Sequence, residues 1–200
     1  LGLRRQLLRL RSQRLTAGAV VLACGTFLKG RIVIGELGFP AGRMGEQPAL
    51  ELSDSLVACG LELKRFQSAT PPRIDGRTID PTLMTVDSGD AHPQSFSPFS
   101  RIDGTVQMPC YLTYTNELTH ETVRRHIHLS PIKTGSISGK GPRYCPSIDR
   151  KIINFPNRER HPVFVEPEGR HTREMYLQGL TTSMPVEVQE RVINAVPGLE

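Results

Sequence analysis

The chain has 200 residues, of which 38% are hydrophobic, so it is long enough and apolar enough to bury a core. Its 25 Lys and Arg residues outnumber its 20 Asp and Glu residues, which is compatible with a polyanionic partner such as RNA but does not require one. The 4 cysteines are widely spaced and contain no CxxC pair, which argues against a zinc ribbon or a disulfide scaffold and favours a reducing cytosol.

The first half of the chain begins with an arginine-rich stretch and an apolar run. The run AGAVVLAC (17–24) predicts a strand buried on both faces of a parallel sheet, and it is too short to cross a bilayer, so no membrane association is expected. PALELSDSLVACG (48–60) has apolar residues at helical spacing, and Gly60 stands where a helix cap belongs, which predicts a short helix. LELKRF (61–66) then predicts a strand.

The second half begins with a stretch rich in Pro, Gly, Ser and Asp (67–108), which predicts an irregular segment. CYLTYT (110–115) predicts a strand, and Asn116 is placed to cap the helix that follows it.

The remaining elements complete the alternation. KIINF (151–155) and PVFVEP (162–167) predict two further strands, and a last helix is expected to start at Ser183. Strands that alternate with helices in this way favour an α/β fold.

Two known binding motifs are present only in part. His120 and Glu121 begin an HExxH zinc signature, but position 124 is Arg where the second histidine is needed, so no metal site is predicted. Residues 139–144 begin like the dinucleotide motif GxGxxG, but their sixth position is Tyr144. The sequence therefore contains no complete phosphate-binding turn of a first βαβ unit.

The segment GKGPRYCPSID (139–149) is the most unusual in the chain. Its glycines permit close approach of a ligand, its prolines stiffen the backbone, and Arg143 adds positive charge that would also favour the thiolate of Cys145. Two interpretations stay open: a loop that grips a phosphate-bearing ligand, and a rigid turn with surface charges. Likewise Cys145 and Cys110 are either candidate nucleophiles or small buried hydrophobes.

GPRYCPSI resembles a segment of the MnmG/GidA family, the flavin-dependent enzymes that install a carboxymethylaminomethyl group on the wobble uridine of certain tRNAs. CGTFLKG, PAGRMGEQP, TPPRID, PCYLTYTN, FVEPEG and YLQGLTTSMP resemble other family motifs in the family's order. The resemblance implies an internal piece of a longer protein. Its fold would be α/β, with part of a Rossmann-like FAD-binding domain (1–66) and an inserted mixed α/β domain (67–200) that carries the nicotinamide-binding loop.

The resemblance also implies cofactors and partners. The reaction would use FAD, NADH and a folate-borne one-carbon unit. The expected partners are tRNA and a GTPase, and the full-length protein is expected to be a homodimer. The location would be the cytoplasm, or the mitochondrion in a eukaryote. Alternatives are a related folate- and FAD-dependent tRNA methyltransferase and a noncatalytic basic RNA-binding module.

The family's functional positions fall on particular residues here. The flavin would lie against the turn at Gly25 and Thr26 and the stretch at Gly42 and Arg43, and Cys145 and Cys110 are hypothesised as catalytic. The proposed nicotinamide contacts are Gly141, Pro142, Arg143, Tyr144, Cys145, Pro146, Ser147 and Ile148. The chain departs from the family pattern at three positions, where Gln67 replaces a lysine, Ala69 a glycine and Cys24 a threonine.

Overall fold

The computed structural model describes residues 6–10, 13–100, 107–139, 141 and 146–200. The strands in this part of the chain are β1 (Gln6–Leu10), β2 (Gln13–Ala17), β3 (Arg31–Ile34), β4 (Leu37–Pro40), β5 (Arg73–Asp75), β6 (Thr85–Asp87), β7 (Cys110–Tyr114), β8 (Pro162–Pro167) and β9 (Glu174–Gln178). The α-helices are α1 (Leu52–Ala58), α2 (Glu117–His126), α3 (Pro131–Thr134), α4 (Ile148–Asn154) and α5 (Val186–Ile193). Strands and helices thus form the mixed α/β fold that was predicted.

These residues divide into two compact units. The first contains the described residues up to Ile32 together with Phe39–Leu63, and the second contains Val33–Gly38 and the described residues from Lys64 onward. The assignment of residues 1–66 and 67–200 to a flavin-binding domain and an inserted domain stays a prediction.

The second unit is built on a five-stranded sheet with the order β5-β9-β8-β7-β6, and every neighbouring pair in it is antiparallel. Val165 of β8 lies opposite Tyr111 of β7 and Leu177 of β9. Because side chains alternate along a strand, these three share one face, on which Val165 and Leu177 are fully buried.

Helices α2, α4 and α5 cover that face. Each helix contributes buried residues to the same core, including Val123 from α2, Ile148 from α4 and Val188 from α5. Asn116 caps α2 as predicted, since its Oδ1 accepts from the Thr119 backbone N–H at 2.9 Å. The cap fixes where the helix begins, and the apolar residues on one side of it, such as Val123, fix which side is buried.

The first unit contains α1, which confirms the helix expected within 48–60. The helix ends at Ala58 with Cys59 as its C-cap, and Gly60 follows with φ +88°, in the left-handed conformation that glycine adopts without strain. Elsewhere in this unit the strand predicted over 17–24 is wrong: β2 ends at Ala17, and Val21 is 90% exposed. A strand buried on both faces needs neighbours, and no described strand pairs with residues 18–24.

Three other predictions of secondary structure are wrong. Residues 61–65 form no strand. The segment 151–155 belongs largely to helix α4, because Ile148 and Ile152 are both buried four residues apart, at helical spacing. The last helix begins at Val186 rather than at Ser183. The backbone N–H groups of Val188 and Gln189 donate to the Pro185 carbonyl, which precedes the helix.

Candidate functional site

The predicted flavin contacts of the first unit are held together by a crossing of two segments. The Thr26 hydroxyl donates a hydrogen bond to the Gly42 carbonyl at 2.7 Å. The Ala41 N–H donates to the Gly30 carbonyl at 3.1 Å. The turn at Gly25 and Thr26 and the stretch at Gly42 and Arg43 therefore lie side by side, and their role as flavin contacts stays a prediction.

Glycine at position 42 is required by this crossing. A Cβ built on Gly42 would lie 2.1 to 2.6 Å from ring atoms of Phe27, which is far inside van der Waals contact. The Phe27 ring thus occupies the space beside Gly42 that a side chain would need. Sequence reasoning missed Phe27, because nothing in its spacing shows which glycine it covers.

Arg43 presents a cation beside this packed crossing. Its Nη2 lies 2.5 Å from Glu46 Oε1, and its guanidinium carbon lies 5.8 Å from the centre of the Phe27 ring. The side chain nevertheless remains 69% exposed. An exposed ion pair of this kind holds its partners weakly, so the guanidinium is available to an anionic ligand.

The predicted nicotinamide segment of the second unit is described in part. Lys140 and four of the predicted contacts, Pro142, Arg143, Tyr144 and Cys145, lie outside the described residues. Of the other predicted contacts, Gly141 is exposed, whereas Ser147 and Ile148 are buried.

Two long-range contacts fix the described residues of this segment. Gly139 has φ +107°, and its carbonyl accepts from Gln67 Nε2 at 2.8 Å. The Ile148 N–H donates to the Thr181 carbonyl at 2.8 Å. The segment is therefore tied both to the stretch that begins at Gln67 and to the connection between β9 and α5.

A buried polar cluster adjoins Ile148. Asp149 is 1% exposed, and its Oδ2 accepts from the Ser130 hydroxyl at 2.6 Å. Its other oxygen, Oδ1, and the Ser147 hydroxyl oxygen are buried without a hydrogen-bond partner among the described residues. Sequence reasoning missed Asp149 and Ser130, which lie 19 positions apart and share no motif.

Cys110, the second hypothesised catalyst, lies at the start of β7. It lies opposite Asp87 of β6. Burial raises the pKa of the Cys110 thiol, and the carboxylates of Glu166 and Asp87 raise it further. These surroundings disfavour the thiolate, which is the nucleophilic form, so the geometry offers Cys110 no activation.

Two further properties bear on the class of protein. Within the described part of the chain, no three His, Cys, Asp or Glu side chains converge as metal ligands. The same part contains no helix long and apolar enough to span a membrane. The five-stranded antiparallel sheet with its helical layer defines a mixed α/β protein.

The chain belongs to the family described as glucose inhibited division protein A, whose model matches residues 6–200. It is 47% identical over 184 residues to the tRNA uridine 5-carboxymethylaminomethyl modification enzyme MnmG of Geobacillus thermodenitrificans, a match that covers 92% of this chain and 29% of that protein. The enzyme of the same name from Lactiplantibacillus plantarum is 48% identical over 191 residues, covering 94% of this chain and 30% of the relative.

A solved structure agrees with this assignment. Aquifex aeolicus GidA, in its form I crystal, matches 94% of this chain with a TM-score of 0.82 and 43% sequence identity. The match covers 32% of the GidA chain. The present chain therefore spans about a third of the length of the relatives that it matches, and the Geobacillus and Lactiplantibacillus relatives are named as enzymes of tRNA modification.

Proposed function

We propose that the chain is a segment of a flavoenzyme that adds a carboxymethylaminomethyl group to carbon 5 of the wobble uridine of tRNA. The observation that carries the proposal is the 47% identity over 92% of the chain to a relative named for that modification. Because the chain covers 29% of that relative, the activity is proposed for the longer protein of which these residues are a part.

FAD is proposed as the cofactor of the first unit, and the residues there fit a phosphate-bearing group. Gly25 has φ +53° and open space where a Cβ would project, while Arg43 presents an exposed guanidinium across the Thr26–Gly42 hydrogen bond. A backbone that permits close approach beside a cation suits a pyrophosphate. The flavin supplies the redox chemistry when bound, and these residues hold and orient it.

NAD(H) is proposed as the reductant, with contacts from the segment that includes Gly141 and Pro146 to Ile148. The anchoring of Gly139 by Gln67 and of Ile148 by Thr181 supports a fixed position for the described residues of this segment. A folate-borne one-carbon unit is proposed as the source of the new methylene carbon, on the family resemblance alone.

The proposed partners follow from the same assignment. tRNA is the substrate, which the names of the relatives support. A GTPase partner, a homodimeric full-length protein and a cytoplasmic location, or a mitochondrial one in a eukaryote, are proposed on the resemblance.

The proposal is tested with a longer protein that contains this chain. We expect the purified protein to be yellow and to produce the carboxymethylaminomethyl nucleoside in unmodified tRNA, detected by mass spectrometry, when the GTPase partner, a folate donor, glycine and NADH are supplied. Arg43→Ala is expected to reduce flavin retention, whereas Arg31→Ala, an exposed arginine of the same unit, serves as the matched control.

Other outcomes would contradict the proposal. A methylated uridine product would favour the related tRNA methyltransferase. A colourless protein that binds tRNA in a salt-dependent manner without modifying it would favour the noncatalytic RNA-binding module.

A further inference from the structure

A groove lies in the second unit, at one end of the five-stranded sheet. It has a volume of about 300 Å³ and is formed where β7 begins, β8 ends, β9 begins and β5 ends. Apolar side chains form much of its lining, among them Tyr111, Met175 and Ile79. Tyr111 and Met175 belong to the sheet face that carries the core, so the groove is an uncovered end of that face.

Two arginines, Arg77 and Arg173, line the same groove, and none of the described residues that line it is acidic. Arg77 is paired through its Nε with Asp75 at 3.0 Å, and this pair lowers the pKa of Asp75 to about 2. Arg77 nevertheless remains 67% exposed.

Arg173 differs from Arg77, because its guanidinium makes no hydrogen bond to any described residue, although its charge also helps to lower the pKa of Asp75. Its backbone is fixed, since its carbonyl accepts from the Gly76 N–H at 2.7 Å. The groove thus combines an apolar lining, an aromatic ring and a guanidinium whose hydrogen-bonding capacity is unused within the described chain.

We propose that this groove binds one nucleotide of a single-stranded RNA, with the base against Tyr111 and the phosphate at Arg173 and Arg77. Aromatic rings stack on bases of any sequence, and arginine matches the geometry of phosphate. The volume is at the small end of ligand pockets, which suits one nucleotide better than a dinucleotide cofactor. The inference rests on the proposed tRNA substrate and adds a contact surface made of residues other than the predicted cofactor contacts.

The test measures binding of a fluorescently labelled uridine heptamer to the 200-residue chain by anisotropy at several salt concentrations. Arg173→Gln is expected to weaken binding by about tenfold and to lower the salt slope by about 1. The control is Arg158→Gln, which removes the same charge from an exposed residue elsewhere in this unit and is expected to leave binding near the wild-type value.

A second pair of variants tests the ring. Tyr111→Leu is expected to weaken binding at least about fivefold through lost stacking, whereas Tyr111→Phe keeps the ring and is expected to bind as the wild type does. Thermal unfolding of each variant establishes that it is folded.

Several outcomes would overturn the inference. Equal binding by Arg173→Gln and Arg158→Gln would overturn it and leave the proposed function standing. Arg173-dependent binding of NADH, uridine monophosphate or inorganic phosphate without binding of the heptamer would assign the groove to a small molecule instead. A longer protein that is colourless and inactive, but in which Arg173 still governs heptamer binding, would refute the proposed function alone.

Discussion

His120 and His161 lie with their ring centres 5.4 Å apart in the interior of the second unit, and Thr115 joins them. The Thr115 hydroxyl oxygen lies 2.7 Å from His120 Nε2 and accepts from the His161 backbone N–H at 2.8 Å. Burial lowers the pKa of His120, and burial with the charge of Lys151 lowers the pKa of His161 to about 4. Both rings are therefore held neutral in the folded protein.

This pair predicts an acid-sensitive fold. Between pH 6.5, the ordinary value, and about pH 4, the unfolded chain binds more protons at His161 than the folded chain does. The contribution of the neutral ring to the free energy of unfolding is therefore fully present above pH 6.5 and is lost as the pH falls toward 4. The loss is at most about 1.4 kcal/mol per pH unit for one histidine that is protonated in the unfolded chain and neutral in the folded chain. Urea denaturation across this range measures the decrease. His161→Gln should flatten it and His92→Gln, at an exposed site, should not; an unchanged slope in His161→Gln would refute the assignment.

The contact of Phe27 with Gly42 predicts that Gly42→Ala destabilises the first unit. The new methyl group would overlap the ring, so we expect a loss of about 1–3 kcal/mol in denaturation experiments and weaker flavin retention in the longer protein. Gly18→Ala is the control, because its Cβ would meet nothing within 4 Å. Equal stability of the two variants would contradict the prediction, because it would show that the Phe27 ring moves aside without a loss of stability.

The buried Asp149 predicts a large effect of a small change at Ser130. Ser130→Ala removes the hydroxyl that donates to Asp149 Oδ2 and leaves the buried carboxylate with one stabilising contact fewer. We expect the free energy of unfolding to fall by about 1–3 kcal/mol, against less than about 0.5 kcal/mol for Ser88→Ala at an exposed position. A loss no greater than that of the control would indicate that another group already satisfies Asp149.

The raised pKa of Cys110 predicts slow alkylation. At neutral pH, iodoacetamide should modify Cys110 more slowly than the exposed Cys59, because the thiolate is the reacting form. Mass spectrometry of peptides after timed quenching gives both rates in one sample. If Cys110 reacts fastest, its surroundings activate it, and the hypothesis of a catalytic role gains support.

Local signals in the sequence predicted the elements whose ends are set by neighbouring residues. Asn116 caps α2 through the adjacent turn, and Gly60 follows α1 with the positive φ that its position requires. The strands at 110–114 and 162–167 were predicted because β-branched and aromatic residues are concentrated there.

The misplaced elements depended on partners that spacing does not reveal. The apolar run after Ala17 has the composition of a buried strand but no described strand beside it. Ile152 and Ile153 favour a strand by propensity, yet burial of Ile148 and Ile152 on one side makes the segment helical. The same limit applies to the site, because the pairings of Phe27 with Gly42 and of Ser130 with Asp149 join residues 15 and 19 positions apart without a shared motif.

The hydrogen bond from Gln67 to the Gly139 carbonyl is made at a position where the family resemblance implied a lysine. An ammonium group acts through a field that extends into the surrounding water, whereas an amide dipole acts at contact distance and in one direction. In this chain the attachment between the two segments therefore depends on the position and direction of the Gln67 amide. Gln67→Asn shortens this side chain by a single methylene, and we expect it to place the amide out of reach of the Gly139 carbonyl.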